Sequence, residues 1–297
     1  MLKALPAPPD EQELLHCAAK LSKPNDALLF EMIASLLRFG TGEAPCPENF
    51  VQARTVYTEP EGLDSRVSRR EDEHYPPAAD ACRNLSPEEQ LAQAERCVGP
   101  AQIQPLLSKA FNEGSQGMDA GLNASRIEAG LLWFLYVSVH KEAVTCADKA
   151  KDCDSSCGYY AGSQSRATTY GLARYIAARS PATHDAAFDA ILAVRCWRDL
   201  DNPGGLAEND ALHQQALAQL DRALDAGFAR LLLQRIERLP CDSAWESIRI
   251  LGPALTRALT AIDAADAKTW QANLAQGESG FDGEAAAKIL REHFPCP

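Results

Sequence analysis

The stretch Leu212-His-Gln-Gln-Ala216-Leu217-Ala-Gln-Leu220-Asp-Arg-Ala-Leu224-Asp-Ala-Gly-Phe228-Ala-Arg-Leu231-Leu232 decides the fold class. Its apolar residues recur in steps of three and four, so they gather on one face of a 3.6-residue helix, and the alternation that a half-buried strand needs is missing. The same period extends over Asn209 to Leu239 and returns in most of the chain. Helices are expected at Ala101 to Asn112, Asp119 to Lys149, Ala167 to Arg179, Ala186 to Asp199, Ser243 to Gln276 and Gly283 to His293.

Helix starts are written into the N-terminal part as well. Asp10 with Glu13 has the spacing of a capping box and predicts a first helix to about Leu21, while Asn25 or Asp26 can cap Ala27 to Phe39, with Gly40 ending it. Ser86-Pro87-Glu88-Glu89 combines a cap, a proline at the first helical position and the returning carboxylate. Between Thr41 and Leu85 the period is lost among Pro, Gly, charged and aromatic residues, which predicts a long irregular segment. The expected architecture is all-α: long helical hairpins forming one or two bundles. The polar, Gly-containing stretch Ala150 to Gln164 is the natural divide between an N-terminal helical region, 1–150, and a C-terminal helical bundle, 151–297.

Ten cysteines punctuate this helical chain: Cys17, Cys46, Cys82, Cys97, Cys146, Cys153, Cys157, Cys196, Cys241 and Cys296. The number is even and no Cys-x-x-Cys occurs, so a disulfide framework is expected in place of a zinc knuckle or a thioredoxin-type pair. Disulfides persist outside the reducing cytosol, which predicts a secreted or periplasmic protein whose export signal has been removed ahead of Met1. Cys241 with Cys296 is the preferred pairing. Cys153 and Cys157, one helical turn apart, are expected to take distinct partners, because their Cβ atoms point along one face without facing each other.

Charge and motifs exclude several function classes. A net charge of -12 disfavours nucleic acid, which is bound by excess Lys and Arg. The longest apolar stretch, Ala129 to Val139, is about half the ~20 residues that a membrane-spanning helix requires. No phosphate loop, Gly-x-Gly-x-x-Gly, His-Glu-x-x-His or Gly-x-Ser-x-Gly occurs, so no nucleotide cofactor is expected. Cys-x-x-Cys-His is absent too, which argues against c-type haem. No nucleophile stands beside an evident base, so a non-enzymatic role comes first, and an enzyme whose site assembles only in space stays open.

The candidate ligands are carboxylates, phenols and imidazoles near the middle of the chain. Glu13-Leu-Leu-His16 and Glu71-Asp-Glu-His74 both fit the Glu-x-x-His pattern of di-iron helices. In Arg126-Ile-Glu128-Ala-Gly-Leu-Leu-Trp133-Phe-Leu-Tyr136-Val-Ser-Val-His140-Lys-Glu142 a strongly apolar run is bracketed by ionisable groups. Buried charge must be paired or bound to a metal, so Glu128, His140 and Glu142 belong either to an internal ion-pair network or to a site. Asp154, Tyr160, His184, Asp185 and Asp189 follow as further oxygen and nitrogen donors. Thr183 and Asp185 equally read as a helix cap and a dipole partner.

Asp154-Ser-Ser-Cys157-Gly-Tyr159-Tyr160-Ala-Gly162-Ser163, followed by Tyr170-Gly-Leu-Ala-Arg-Tyr175, resembles an element of the algal iron-assimilating secreted proteins and their bacterial relatives. Asp154, Tyr160, Gly162 and Ser163 carry the resemblance. It implies an exported helical protein that binds iron or another transition-metal ion. The hard-cation preference for carboxylate and phenolate oxygen, with imidazole accepted, suits Glu128, Glu142, Asp154, Tyr160, Asp185 and Asp189, with His140 and His184. The competing expectation is a disulfide-stapled scaffold that presents the Thr41 to Leu85 segment to a protein partner.

Overall fold

The computed structural model describes residues 26–60, 62–162, 165–167, 169–201 and 209–295. The described residues form helices and turns with no strand. In chain order the helices are α1 (Asp26–Leu36), α2 (Pro47–Tyr57), α3 (Leu63–Val67), α4 (Pro87–Ala92), α5 (Gln104–Ser115), α6 (Ala120–Thr145) and α7 (Ala150–Ala161). There follow α8 (Gly171–Ala177), α9 (Pro181–Asp201), α10 (Asp210–Ile236), α11 (Asp242–Leu251), α12 (Thr256–Ile262), α13 (Ala264–Ala275) and α14 (Gly283–His293).

The organising element is α6. It is apolar nearly all round from Ile127 to Val139, and a helix without a polar face has to be enclosed by others. α5, α7, α10 and α11 pack on it, and α9 pairs with α10 alongside. Trp133, Leu135, Ile191, Leu220, Leu231 and Leu251 are all buried, as their helical period predicts. The core runs without a break from Leu29 to Phe294, so the packing crosses residue 150. The stretch at 150–164, read as a divide, supplies the core helix α7. Cys153, Cys157 and Tyr160 fall three to four residues apart and are buried, a stripe that its polar composition conceals.

Caps close the helices where the sequence places them. Ser86 Oγ accepts from Glu89 N at 3.3 Å and Glu89 Oε2 accepts from Ser86 N at 2.8 Å. Asn209 caps α10, Asp263 caps α13 and Asp282 caps α14. The long helix expected over Ser243 to Gln276 is three: Pro253 sits in a 3-10 turn after α11, and the Asp263 cap separates α12 from α13.

The irregular segment is shorter than 41–85, because Pro47 starts α2 and Leu63 starts α3. Phe50, Ala53 and Tyr57 fill the core from α2 at helical spacing. What remains is a strap, 68–86, tied down at several points. Cys82 is bonded to Cys97. Asp72 N donates to Arg96 O at 2.8 Å and Gly99 N to Arg70 O at 3.0 Å. Gly99 is required here: a Cβ would stand 2.1 Å from Val67 O and 2.6 Å from Arg70 O. Along the strap Arg70, Asp72 and the ring of His74 turn inward while Arg69 and Glu73 face out.

Cys146 is bonded to Cys153, so Cys153 does take a partner other than Cys157. Cys46 and Cys241 are exposed and form no disulfide with a described residue. Cys17, Cys296 and the helix expected at 10–21 lie outside the described residues, and with them the pairing of Cys241 with Cys296. No described helix is long and apolar enough to cross a membrane.

Candidate functional site

The strap, α6, α10 and α12 converge on one polar cluster. From α6 come Tyr136 and His140, four residues apart and so on one face; from α10 come Asp221 and Asp225 at the same spacing. The strap adds Asp72 and His74, and α12 adds Arg257. The imidazoles of His74 and His140 stack, with centroids 3.5 Å apart and planes 18° from parallel.

Asp221 joins the two rings. Its Oδ1 lies 2.6 Å from His140 Nδ1 and 3.5 Å from His74 Nε2. His74 is oriented from its other side, where Nδ1 is 2.6 Å from Asp72 Oδ1, and the same oxygen accepts from the His74 backbone N–H at 3.1 Å. Beneath them Tyr136 donates to Asp225. Arg257 Nη2 reaches the Tyr136 hydroxyl at 3.2 Å and Asp225 Oδ1 at 3.3 Å. The histidine side chains are 4% and 7% exposed and that of Asp221 is 26% exposed, so solvent reaches the cluster at Asp221.

Protonation follows from these contacts. Burial opposes charge on His74, but the hydrogen bonds to Asp221 and Asp72 outweigh it and push the imidazolium up to about 9. Burial would raise Asp221 and Asp72. Their histidine partners overcome it and hold both carboxyls below the usual range. Burial also opposes the guanidinium of Arg257, and Tyr136 and Asp225 overcome it.

His74, His140 and Asp221 are the one group of three or more among the described residues whose possible metal-ligating atoms all lie within 4.8 Å of one another. Metal–donor bonds of about 2.1 Å at tetrahedral or right angles put adjacent donors about 3.0–3.4 Å apart. The His74–Asp221 separation is already at that spacing, and the 2.6 Å His140 contact has to open by a few tenths of an ångström. Asp72 on the far nitrogen of His74 is the outer-shell carboxylate that fixes the tautomer of a ligating histidine. Asp72 and Asp221 together carry two negative charges, and Asp225 is matched by Arg257, so the charge of the cluster would balance a divalent cation that displaces the second proton of His74.

Of the eight donors named from the sequence, only His140 enters this cluster, and the other seven are held elsewhere. Glu128 accepts from Tyr175 Oη at 2.6 Å and Arg235 Nη2 at 2.8 Å. Glu142 is held by Arg70 at 3.3 Å and Lys141 at 3.1 Å. Asp154 pairs with Arg195, while Asp185 and Asp189 share Arg166. Tyr160 lies 3.0 Å from His184 Nδ1, and His184 Nε2 donates to Arg166 O at 3.1 Å. Burial, then the charge of Asp185, raises the Tyr160 phenol and disfavours the phenolate an iron ligand needs. These groups form several internal networks, the alternative reading of the same residues. Glu71 does not join His74 as Glu-x-x-His implies: it pairs with Arg96 and accepts from Cys82 N at 2.7 Å.

Asp72, Asp221, Asp225 and Arg257 are absent from the candidates read from sequence, and His74 enters there only through the Glu-x-x-His pattern. The legible signal was in α10: Leu217, Asp221, Leu224 and Phe228 share one helical stripe, so an acid interrupts an apolar face. Fold and cluster together define an all-α, disulfide-bonded protein with a partly buried two-histidine, one-carboxylate group. Comparison with family models, curated proteins and solved structures finds no match.

Proposed function

We propose that the protein binds a divalent first-row transition-metal ion through His74, His140 and Asp221, and that it does so as an exported protein. The observation that carries the reading is three donor atoms within 4.8 Å of one another, with Asp72 orienting His74 from behind. Two imidazoles and a carboxylate suit Fe(II) and Zn(II). The resemblance over 154–175 makes iron the first metal to test and iron acquisition the first role. The disulfides Cys82–Cys97 and Cys146–Cys153 support an oxidising compartment.

The test is calorimetry on chelator-treated, disulfide-intact protein, titrated with Fe(II) under anaerobic conditions and with Zn(II). Saturable binding near one equivalent is expected, lost in His74→Ala and Asp221→Ala and retained in His184→Ala. Absence of saturable binding by either metal, or equal binding by the two site variants, overturns the reading and leaves the scaffold role.

A further inference from the structure

The strap borders a cavity of about 350 Å³ whose charge runs against that of the chain. The whole protein carries 29 Lys and Arg against 41 Asp and Glu. Here Arg66, Arg69, Arg70, Arg83 and Lys141 face three carboxylates, those of Glu71, Glu73 and Glu142. Two of the acids are already neutralised, Glu142 by Arg70 and Lys141 and Glu71 by Arg96, and Arg66 is taken by Asp26. Arg69 and Arg83 remain, exposed and without an ion pair among the described residues, against Glu73 alone.

A second observation comes from Arg70. It is 7% exposed, and its Nε is buried with no hydrogen-bond partner. Its guanidinium lies over the rings of Tyr159 and Phe134, 5.2 Å and 5.5 Å from their centroids, and Nη2 donates to Tyr159 Oη at 3.1 Å. The fork is thus held rigid beside the cavity. Both Nη atoms also reach Glu142 Oε1, at 3.3 and 3.4 Å, so Arg70 forms a fixed wall, and the uncommitted guanidinium groups of Arg69 and Arg83 are the ones offered to an oxyanion, whose phosphate or carboxylate oxygens planar N–H forks match. The volume is that of a small-molecule site, which starts at about 300 Å³.

We infer that this cavity binds a small molecule bearing a phosphate or carboxylate oxyanion, contacted by Arg69 and Arg83 beside the fixed Arg70. The inference stands apart from the cation reading, since none of these residues is a proposed metal ligand. It is tested on metal-free, disulfide-intact full-length protein by calorimetric titration with inorganic phosphate and, separately, with citrate. Saturable binding of at least one is expected, weakened roughly tenfold or more in the Arg69→Ala/Arg83→Ala double variant, as loss of two charge-assisted contacts implies. Both substituted side chains are exposed, so the helical circular dichroism of the double variant should match the parent. No saturable binding of either anion at millimolar concentration, or the same affinity in the double variant, overturns the inference. Phosphate binding without citrate binding identifies the phosphate class, and the converse identifies the carboxylate class.

Discussion

Removing the Glu128 carboxylate should be the most damaging single change in the central helix. Glu128 and Arg235 are 4% and 6% exposed, and the carboxylate is the only hydrogen-bond acceptor of the Arg235 side chain among the described residues, with its Nε already lacking a partner there. Glu128→Leu deletes the 2.8 Å contact to Arg235 and the 2.6 Å contact from Tyr175, and it strands a guanidinium that cannot shed its proton. Arg179 makes matters worse. Burial, and next the charge of Arg235, already holds Arg179 below the usual arginine range, so the two cations would face each other without the intervening anion. Breaking a buried pair from one side costs about 3–5 kcal/mol.

Arg235→Met should cost less, because a stranded carboxyl can take up a proton and keep its hydrogen bond to Tyr175. The double variant Glu128→Leu/Arg235→Met removes both charges and should recover most of the loss, since apolar replacement of a whole buried pair is near neutral or better. Urea unfolding of the four proteins, followed by far-ultraviolet circular dichroism with the disulfides intact, gives the cycle. A Glu128→Leu loss below about 1 kcal/mol, or a double variant as unstable as the sum of the singles, would refute the argument that paired charge, and not shape, holds this contact.

Three further outcomes follow from packing, crosslinks and titration. Gly99→Ala forces a Cβ against two backbone carbonyls of 67–70, so it should destabilise the protein by about 1–3 kcal/mol and hasten limited proteolysis within 68–84, with unchanged protease sensitivity counting against the strap's dependence on Gly99. Cys82→Ser/Cys97→Ser opens a loop of 15 residues and should cost about 3 kcal/mol in chemical denaturation, more than the about 2 kcal/mol expected for the 7-residue Cys146–Cys153 loop. His213 is pulled below the usual histidine value by burial, stacked on Trp197 and bonded to Ala143 O. Its unfolded form therefore binds a proton first, so its contribution to stability is complete above the unfolded value near 6.5 and is lost as pH falls through the lowered folded value. His213→Gln should flatten that acid limb, measured as the unfolding midpoint between pH 7 and pH 5.

The helical class was legible because it depends on a local repeat. The stripe in α10, the Ser86-Pro87-Glu88-Glu89 start and the helix start at Asn209 each act within one turn, and each stands where its own residues place it, whereas the Asp263 cap lies inside the single helix expected over Ser243 to Gln276. Composition misled where it replaced position. Lys, Asp, Ser and Gly make α7 read as a divide, yet a helix is committed to the core by which residues share a face, and Cys153, Cys157 and Tyr160 share one. α2 was lost in the same way, with Phe50, Ala53 and Tyr57 hidden among polar neighbours.

The site was legible only in its helical half. Reading ionisable groups on the apolar α6 correctly marked Glu128, His140 and Glu142 as buried, but burial alone requires a partner without naming it. The partners came from elements remote in sequence: Arg235 for Glu128, Arg70 for Glu142, and Asp221 for His140. Guanidinium forks satisfied the first two pairs as ordinary ion pairs. At His140 the incoming strap brings a second imidazole instead of an arginine, so Asp221 faces two nitrogens where Glu128 faces a guanidinium. That difference separates a structural ion pair from a candidate cation site. It rests on His74, whose approach is fixed by Gly99, by the Cys82–Cys97 bond and by Asp72, and none of those three lies on the helices whose periodicity revealed the fold.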